Sequence, residues 1–242
     1  MVVEGTFRGR LITSIVATAK KLVPEVVVQE VQRYRAYGRD ERSLYLKIRI
    51  SNGLGFTNPK LSRVPKTARS FLFVCFGNIM RSPMCQALLN RELACLHNAQ
   101  FTVVSAGLNA IPGKPAHPWA IAAAKELGIA LEGHRAQLLS PEMVDQADVI
   151  FAMDYHNQVQ LLSRWAGAKS KTFFLSAYAG EDFRPLEIRD PYYSGLEGTR
   201  SCYRVLSACI QNLVRALSDE ERTPLSSGEL IPPGHSGRAV SR

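Results

Sequence analysis

A cysteine that ends an apolar strand and precedes a short loop is the feature that most constrains this chain. Residues 71–75 have the sequence Phe-Leu-Phe-Val-Cys, and Phe-Gly-Asn-Ile-Met-Arg-Ser-Pro follows. Gly77 permits a tight turn and Asn78 tolerates a left-handed backbone, so the amides of residues 76–81 can point inward. Such a concave set of N–H groups binds phosphate oxygens. The sequence therefore predicts a phosphate-binding loop with a cysteine at its base.

The side chains at the end of this loop suit the same chemistry. Arg81 is a planar, bidentate donor for phosphate, and Pro83 suits the first turn of a helix. The positive field of the arginine and of the helix N-terminus favours the ionised thiolate of Cys75, which is the nucleophilic form. Ser82 can donate a hydrogen bond to that sulfur and can also cap the helix. Cys75 is therefore the candidate nucleophile.

The Cys-x5-Arg spacing alone is not specific, because the chain contains it three times. The copies that begin at Cys85 and Cys209 contain no glycine and lie within helical patterns, where the amides already bond to the chain. Only the copy that begins at Cys75 follows a strand and has a glycine inside the loop. The loop context, and not the spacing, identifies the site.

Together with the cysteine loop, four further segments resemble the low-molecular-weight protein tyrosine phosphatases. In chain order they are Ser105-Ala-Gly, Gly133-His-Arg-Ala, Phe151-Ala-Met-Asp and Asp190-Pro-Tyr-Tyr. The resemblance implies an α/β fold, with a four-stranded parallel sheet, helices on both faces and the phosphate-binding loop after the first strand. It also implies hydrolysis of phosphotyrosine through a phosphocysteine intermediate, with no cofactor or metal ion.

The resemblance also implies roles for individual residues. Cys75 attacks phosphorus, Arg81 binds the phosphate, and Asp190 protonates the leaving group and then activates water. General acid assistance of this kind contributes ~10²–10⁴-fold. The expected phosphate-binding or substrate-binding residues are Phe76, Gly77, Asn78, Ile79, Met80, Ser82, Tyr192 and Tyr193, and the expected supporting residues are Ser105 and His134.

Two positions depart from the pattern of that family. Met80 stands where many members carry a second cysteine, so a protective disulfide with Cys75 is not expected. The loop of residues 108–112 contains no aromatic residue, which leaves Phe76 as the candidate for the hydrophobic wall. In this respect the chain resembles bacterial members associated with exopolysaccharide export, whose substrates are autophosphorylated tyrosine kinases.

Two other functions are compatible with parts of the sequence. Arsenate reductases share the fold and use an additional cysteine pair, and Cys202 and Cys209 have a suitable spacing. Both cysteines belong to one helical apolar stripe, however, which is typical of a core position. The other alternative is a basic adaptor that binds anionic lipid, nucleic acid or an acidic protein.

The positive charge is concentrated in the N-terminal part. Residues 1–70 contain 14 Lys and Arg against five Asp and Glu, which equals the formal +9 of the whole chain. We therefore expect residues 1–69 to form a basic, partly helical extension that binds an anionic surface and can be separated from the enzyme. Apolar positions between 11 and 36 have helical spacing, whereas 44–50 suits a helix or a strand. No specific binding to nucleic acid is expected.

The remaining composition indicates a cytoplasmic enzyme without membrane spans. The five cysteines are few, odd in number and lack metal-ligand spacing, and no apolar stretch has transmembrane length. Residues 70–217 are the predicted phosphatase domain, and 218–242 form a predicted disordered tail. The predicted strands are 70–75, 101–105, 149–153 and 172–175, and the predicted helices are 82–96, 118–127, 141–146, 155–164 and 198–217.

Overall fold

The computed structural model describes most of the predicted phosphatase domain and part of the extension. The described residues are 31–32, 34–53, 64–65, 67–94, 101–180, 183 and 187–218. The amphipathic pattern up to residue 30 and the tail from residue 219 lie outside them. The domain boundaries after residues 69 and 217 stay predictions.

A parallel sheet of four strands forms the centre of the domain, in the order β2-β1-β3-β4. The strands are β1 (Ser70–Cys75), β2 (Thr102–Gly107), β3 (Val149–Ala152) and β4 (Thr172–Phe174). Five of the six residues of β1 are buried, as expected for a parallel strand that is covered on both faces. Cys75 lies at the carboxyl end of β1, opposite Gly107 of β2. Ligands of α/β sheets bind at this edge.

Helices cover both faces of the sheet. They are α1 (Arg39–Gly53), α2 (Arg81–Leu93), α3 (Pro118–Glu126), α4 (Pro141–Gln146), α5 (Tyr155–Arg164) and α6 (Gly195–Ser218), with 3-10 segments at Ala166–Lys171 and Leu175–Tyr178. Buried residues of α2, α3 and α6 pack with Phe71 and Phe73 on one face. Residues of α4 and α5 pack with Leu72 and Val74 on the other. The predicted α/β fold with a parallel sheet and helices on both faces is confirmed.

Several element boundaries differ from the predictions. Strand β2 extends to Gly107 instead of residue 105, because its last residues keep pairing with β1 as far as Cys75. Helix α2 ends at Leu93, and α6 begins at Gly195, three residues earlier than predicted. The first turn of α6 holds no apolar stripe, so the sequence pattern did not mark its start.

The segment 44–50, for which helix and strand were both open, belongs to helix α1. Tyr45 is buried, and Leu44 and Ile48 pack against the same cluster. Leu46 and Ile50 face away and are 45% and 57% exposed. Contact with the domain therefore selects the helix over the strand that the alternation also allowed.

Helix α1 packs against the domain, beside α5 and the edge strand β4. Tyr37 and Tyr45 are buried with Tyr155, Val159 and Phe174. The described part of the extension therefore packs on the domain, whereas a separable arm was expected. Among the described helices, none combines the length and the apolar character needed to cross a membrane.

Candidate active site

The loop between β1 and α2 surrounds the sulfur of Cys75. The backbone N–H of Asn78 donates to Sγ at 3.3 Å, and the Ser82 hydroxyl lies 3.0 Å from Sγ. Beneath the loop lies Gly107, where a Cβ atom would come within 2.8 Å of the Asn78 nitrogen. The glycine of Ser-Ala-Gly is therefore needed because the loop backbone approaches it closely.

Asn78 holds the loop in shape. It has φ 52°, and its side-chain amide donates to the hydroxyls of Ser82 and Ser105, both at 2.9 Å. Its Oδ1 accepts from the backbone N–H of Gln137 at 2.9 Å, and its carbonyl oxygen lies 2.7 Å from Nε2 of His134. The structure thus brings the predicted supporting residues Ser105 and His134 onto one asparagine.

A further layer of polar contacts fixes Ser105. Its hydroxyl donates to Oε1 of Gln86 at 2.7 Å, and its carbonyl oxygen accepts from Nε2 of Gln137 at 2.8 Å. Sequence reasoning missed both glutamines, because each is an ordinary polar residue until the fold places it beside Ser105. The loop end is also held by helix α6, where the Tyr203 hydroxyl donates to the carbonyl of Met80 at 3.0 Å.

We expect Asn78→Ala to damage both the stability and the activity of the protein. Alanine is strained at positive φ, and the variant removes one hydrogen bond each from Ser82, Ser105 and Gln137. The free energy of unfolding should fall by about 2–4 kcal/mol, and kcat/KM for p-nitrophenyl phosphate by roughly 10–100-fold. Urea denaturation and steady-state kinetics measure these effects. Wild-type values for both would contradict a shaping role for Asn78.

Arg81 is buried and connects the start of α2 with the start of α5 and with the segment that carries Asp190. Its NH1 donates to Oδ2 of Asp154 at 2.6 Å and to the carbonyl of Ile188 at 2.9 Å, while NH2 donates to Oδ2 of Asp190 at 2.6 Å. Burial lowers the pKa of Arg81, but the two carboxylates outweigh burial and raise that pKa above its ordinary value. Its Nε is buried and has no partner among the described residues. A phosphate oxygen would satisfy this donor.

Asp154 belongs to the site, but the sequence analysis predicted no role for it beyond its place in the segment Phe151-Ala-Met-Asp. It follows β3 and caps helix α5, where Oδ1 accepts from the backbone N–H of Asn157 at 2.7 Å. Burial opposes its ionisation, but Arg81 and the cap hydrogen bond hold the pKa of Asp154 below its ordinary value. An aspartate at the carboxyl end of a central strand was the available signal.

The replacement Asp154→Asn tests this ion pair, because asparagine also caps helices well. The folded-state pKa lies below the ordinary value of 3.8, so the charge stabilises the protein above pH 3.8 and stops doing so as the pH falls through the folded pKa. The variant should be less stable by about 2 kcal/mol at pH 7. We expect that difference to shrink at pH 3 in urea denaturation, whereas a constant difference would argue against the ionised pair.

The segment that carries Asp190 is attached to the sheet. The backbone N–H of Ile188 donates to the carbonyl of Met153 at 2.8 Å, and Oδ1 of Asp190 accepts from the N–H of Tyr192 at 3.2 Å. Asp190 keeps 26% of its side chain exposed, whereas Asp154 keeps 6%. Of the two carboxylates on Arg81, Asp190 is therefore the more accessible to solvent and substrate.

A cavity of about 680 Å³ lies above the cysteine. Tyr192 packs edge-on against Tyr193 and His117, and Phe76 stacks on His156. The rim is therefore rich in aromatic rings, while the base is polar. The cavity is lined by Cys75, Phe76, Gly77, Ile79, Met80, Arg81, Asn109, Ile111, Lys114, Asp154, His156, Asp190, Tyr192, Tyr193 and Ser194.

Most of the predicted site residues lie around this cavity. Asn78, Ser82, Ser105 and His134 do not line it and instead support the loop from behind. His156, Asn109, Ile111, Lys114 and Ser194 line it and were not predicted. Their positions come from loops and a helix whose relation to Cys75 is set by the fold, and no local pattern in the sequence marks them.

The cysteines of α6 are core residues. Cys202 is 9% exposed and Cys209 is fully buried. Burial raises the pKa of Cys202 and of Cys209 to about 12, so both remain neutral thiols near pH 7. A neutral, buried thiol is a poor nucleophile. These positions do not suit the additional redox pair that an arsenate reductase requires.

Comparison with known proteins agrees with this geometry. The probable low molecular weight protein-tyrosine-phosphatase EpsP of Ralstonia nicotianae is 37% identical over 124 residues, which are 51% of this chain and 79% of that protein. The crystal structure of the Erwinia amylovora tyrosine phosphatase AmsI superposes with a TM-score of 0.57 at 32% identity, over 63% of this chain and 95% of that one. The structure of the YwlE arginine phosphatase of Geobacillus stearothermophilus superposes with a TM-score of 0.56 at 34% identity, over 63% of this chain and 95% of that one.

The family assignment rests on the whole domain. Residues 70–223 match the model of the low molecular weight phosphotyrosine protein phosphatase family, which is more than half of the chain. The match begins at β1 and therefore excludes the basic extension and helix α1. The chain belongs to the low molecular weight phosphotyrosine protein phosphatase family.

Proposed function

We propose that the protein hydrolyses phosphotyrosine in proteins, with Cys75 as the nucleophile and Asp190 as the general acid. In the first step the Cys75 thiolate attacks phosphorus, the S–P bond forms, and the P–O bond to the tyrosine breaks. Asp190 gives its proton to the leaving phenolate oxygen. The amides of residues 76–81 and the guanidinium of Arg81 stabilise the charge on the transferred phosphoryl group.

In the second step water hydrolyses the phosphocysteine. Asp190, now ionised, takes a proton from the attacking water, the S–P bond breaks, and inorganic phosphate leaves. The sulfur departs as a thiolate. The backbone N–H of Asn78, at 3.3 Å, and the Ser82 hydroxyl, at 3.0 Å, stabilise its negative charge. The two steps return Cys75 and Asp190 to their starting protonation states.

One observation carries this proposal: the sulfur, the arginine and the exposed carboxylate meet in a single cavity. Cys75, Arg81 and Asp190 all line it, and Asp190 contacts Arg81 at 2.6 Å. The aromatic rim supports an aryl ester as substrate, because rings pack favourably against Phe76 and Tyr192. We propose that Tyr193, which is 90% exposed, contacts the protein that carries the phosphotyrosine.

Phosphoarginine is the second candidate substrate. The likeness to the arginine phosphatase YwlE is as close as that to AmsI in both TM-score and identity. Both substrates place a phosphoryl group in the loop, so they differ only in the group that crosses the rim. Aromatic rings pack against a phenyl ring and also attract a guanidinium, so the rim fits both groups. We rank phosphotyrosine first because the matching family model and the relatives EpsP and AmsI are named as tyrosine phosphatases.

A panel of substrates tests the proposal. The full-length protein is given peptides that differ only in one residue, phosphotyrosine, phosphoserine or phosphoarginine, and released phosphate is measured. We expect kcat/KM for the phosphotyrosine peptide to exceed the other two by at least about 100-fold, as a site built for one group rejects others. Faster hydrolysis of phosphoarginine would overturn the choice of substrate, and release from none of them would overturn the function.

The physiological partner is a narrower proposal. We propose an autophosphorylated tyrosine kinase as the substrate, because the loop of residues 108–112 resembles the exopolysaccharide-associated members and EpsP and AmsI are bacterial. A cytoplasmic location suits such a partner. The positive charge of the extension favours binding to an anionic surface close to that kinase. Dephosphorylation of an isolated bacterial tyrosine kinase, followed with an antibody to phosphotyrosine, tests this partner.

A further inference from the structure

The extension reaches the active-site wall through one tyrosine. Tyr37 lies outside the part of the chain that matches the family, and it is only 4% exposed. Its hydroxyl is 2.7 Å from Nδ1 of His156, and the two rings stack with centroids 5.3 Å apart and an angle of 24°. A hydrogen bond and a stack on the same partner fix both the position and the plane of the imidazole.

His156 is in turn part of the cavity. It lines the space above Cys75, and it stacks on Phe76 with centroids 5.9 Å apart and an angle of 26°. Phe76 belongs to the phosphate-binding loop and is 43% exposed, so the stack on His156 is a contact that can fix the plane of its ring. Three rings, Tyr37, His156 and Phe76, therefore run from the extension to the substrate space.

Helix α5 carries this wall. His156, Gln160 and Arg164 follow one another at intervals of four residues and so share one face of the helix. Gln160 accepts from the side chain of Asn109 at 2.8 Å, and Arg164 donates to the carbonyl of Leu108 at 2.6 Å. The same face thus supports both Phe76 and the loop that contributes Asn109 to the cavity.

Helix α1 holds α5 from the other side. The Ser163 hydroxyl donates to Glu41 at 3.4 Å, and Arg49 lies over the ring of Tyr155 at 4.8 Å. Arg49 also lies 3.8 Å from Glu187, which accepts from the backbone N–H of Tyr155 at 2.9 Å. The contacts of Tyr155 keep the first turn of α5, which includes His156, attached to the extension, and the contact of Ser163 holds the last turn.

We propose that Tyr37 is a positioning residue for substrate recognition: from the N-terminal extension it orients His156, and His156 holds Phe76 as the aromatic wall against the aryl ring of the substrate. This inference rests on the proposed preference for phosphotyrosine and adds the extension to the specificity machinery of the same site. Asn78 makes hydrogen bonds that shape the phosphate-binding loop, and Tyr37 takes no part in them.

The test compares an aryl ligand with a bare phosphate in the full-length protein. Calorimetry gives the Kd of benzylphosphonate, which is not hydrolysed, and of inorganic phosphate. Tyr37→Phe removes the hydrogen bond but keeps the stack, so the Kd of benzylphosphonate should rise about threefold. Tyr37→Ala removes both contacts, and we expect a rise of about tenfold. The Kd of inorganic phosphate should stay within about twofold of wild type, because phosphate contacts only the loop.

Two controls separate positioning from general destabilisation. Tyr34→Phe removes a hydroxyl from a ring that packs on Tyr45 in the same cluster, and it should leave both Kd values unchanged. In a protein that already carries His156→Ala, the further change Tyr37→Phe should have no effect on benzylphosphonate, since Tyr37 acts through His156. Thermal unfolding of Tyr37→Phe shows whether the fold is retained.

Failure of this inference differs from failure of the proposed function. Tyr37 is not a positioning residue if Tyr37→Phe raises the Kd of both ligands equally. The same holds if Tyr37→Phe raises the Kd of benzylphosphonate as much in the His156→Ala background as in wild type. If wild type binds benzylphosphonate no better than inorganic phosphate, the aromatic wall itself is refuted. Slow turnover of phosphotyrosine together with a selective loss of benzylphosphonate binding in Tyr37→Phe would overturn the proposed function alone.

Discussion

Replacing Cys75 with serine should lower the turnover of p-nitrophenyl phosphate by roughly 10⁵-fold, because it removes the nucleophile. A serine hydroxyl at this position would need a general base, whereas the groups around the sulfur stabilise an anion. The backbone N–H of Asn78 donates to Sγ of Cys75, and Arg81 is a buried cation close to it. The remaining activity should approach the background rate, since phosphate binding alone does not break the ester bond.

Other cysteines provide matched controls for this experiment. Cys85 and Cys209 begin the same Cys-x5-Arg spacing and are fully buried, but neither lines the cavity. We expect Cys85→Ser and Cys209→Ser to keep kcat within a few-fold of wild type where they fold, so stability is measured alongside. Activity that survives in Cys75→Ser and disappears in one of the controls would mean that the nucleophile has been misidentified.

Replacing Asp190 with asparagine should have the second largest effect, and the size should depend on the leaving group. Phenyl phosphate has a basic leaving oxygen that needs a proton, so kcat/KM, which reports on the first step, should fall by about 10³-fold. The p-nitrophenolate ion leaves without help, so the loss on p-nitrophenyl phosphate should be less than about tenfold in the first step. Asparagine keeps the size of the side chain, which limits the disturbance of Arg81.

Asp148→Asn serves as the control for charge loss. Its carboxylate accepts from the backbone N–H groups of Arg69 and Ser70 at the opposite end of β1. That change is expected to lower stability without any dependence on the leaving group. Equal losses of kcat/KM on phenyl and p-nitrophenyl phosphate in Asp190→Asn would show that Asp190 organises Arg81 and does not protonate the leaving group.

The cysteine loop was predictable because its information is local. A strand, a glycine, an asparagine that accepts positive φ, and an arginine before a helix all lie within 12 residues of the chain. Asp190 was a different case, since its contact with Arg81 spans 109 residues of sequence. Its prediction depended on resemblance to a family, and no local rule distinguishes it from a turn-forming Asp-Pro.

The residues that sequence reasoning missed acquire their roles only through tertiary contacts. Asp154 pairs with Arg81 because β3 ends beside β1, and His156 lies in the wall because α5 begins there. Helix α1 was ambiguous for the same reason. The alternation in 44–50 satisfied helix and strand equally, and packing of Tyr45 on the domain decided between them.

Trapping of the phosphocysteine tests the central claim most directly. Wild type and Cys75→Ala are mixed with p-nitrophenyl phosphate, quenched within milliseconds at low temperature, digested and analysed by mass spectrometry. We expect one phosphate on the peptide that contains Cys75 in wild type, and none on that peptide in Cys75→Ala, which has no side-chain nucleophile at this position. Continued turnover with no phosphate on Cys75, or with the phosphate on another residue, would contradict it.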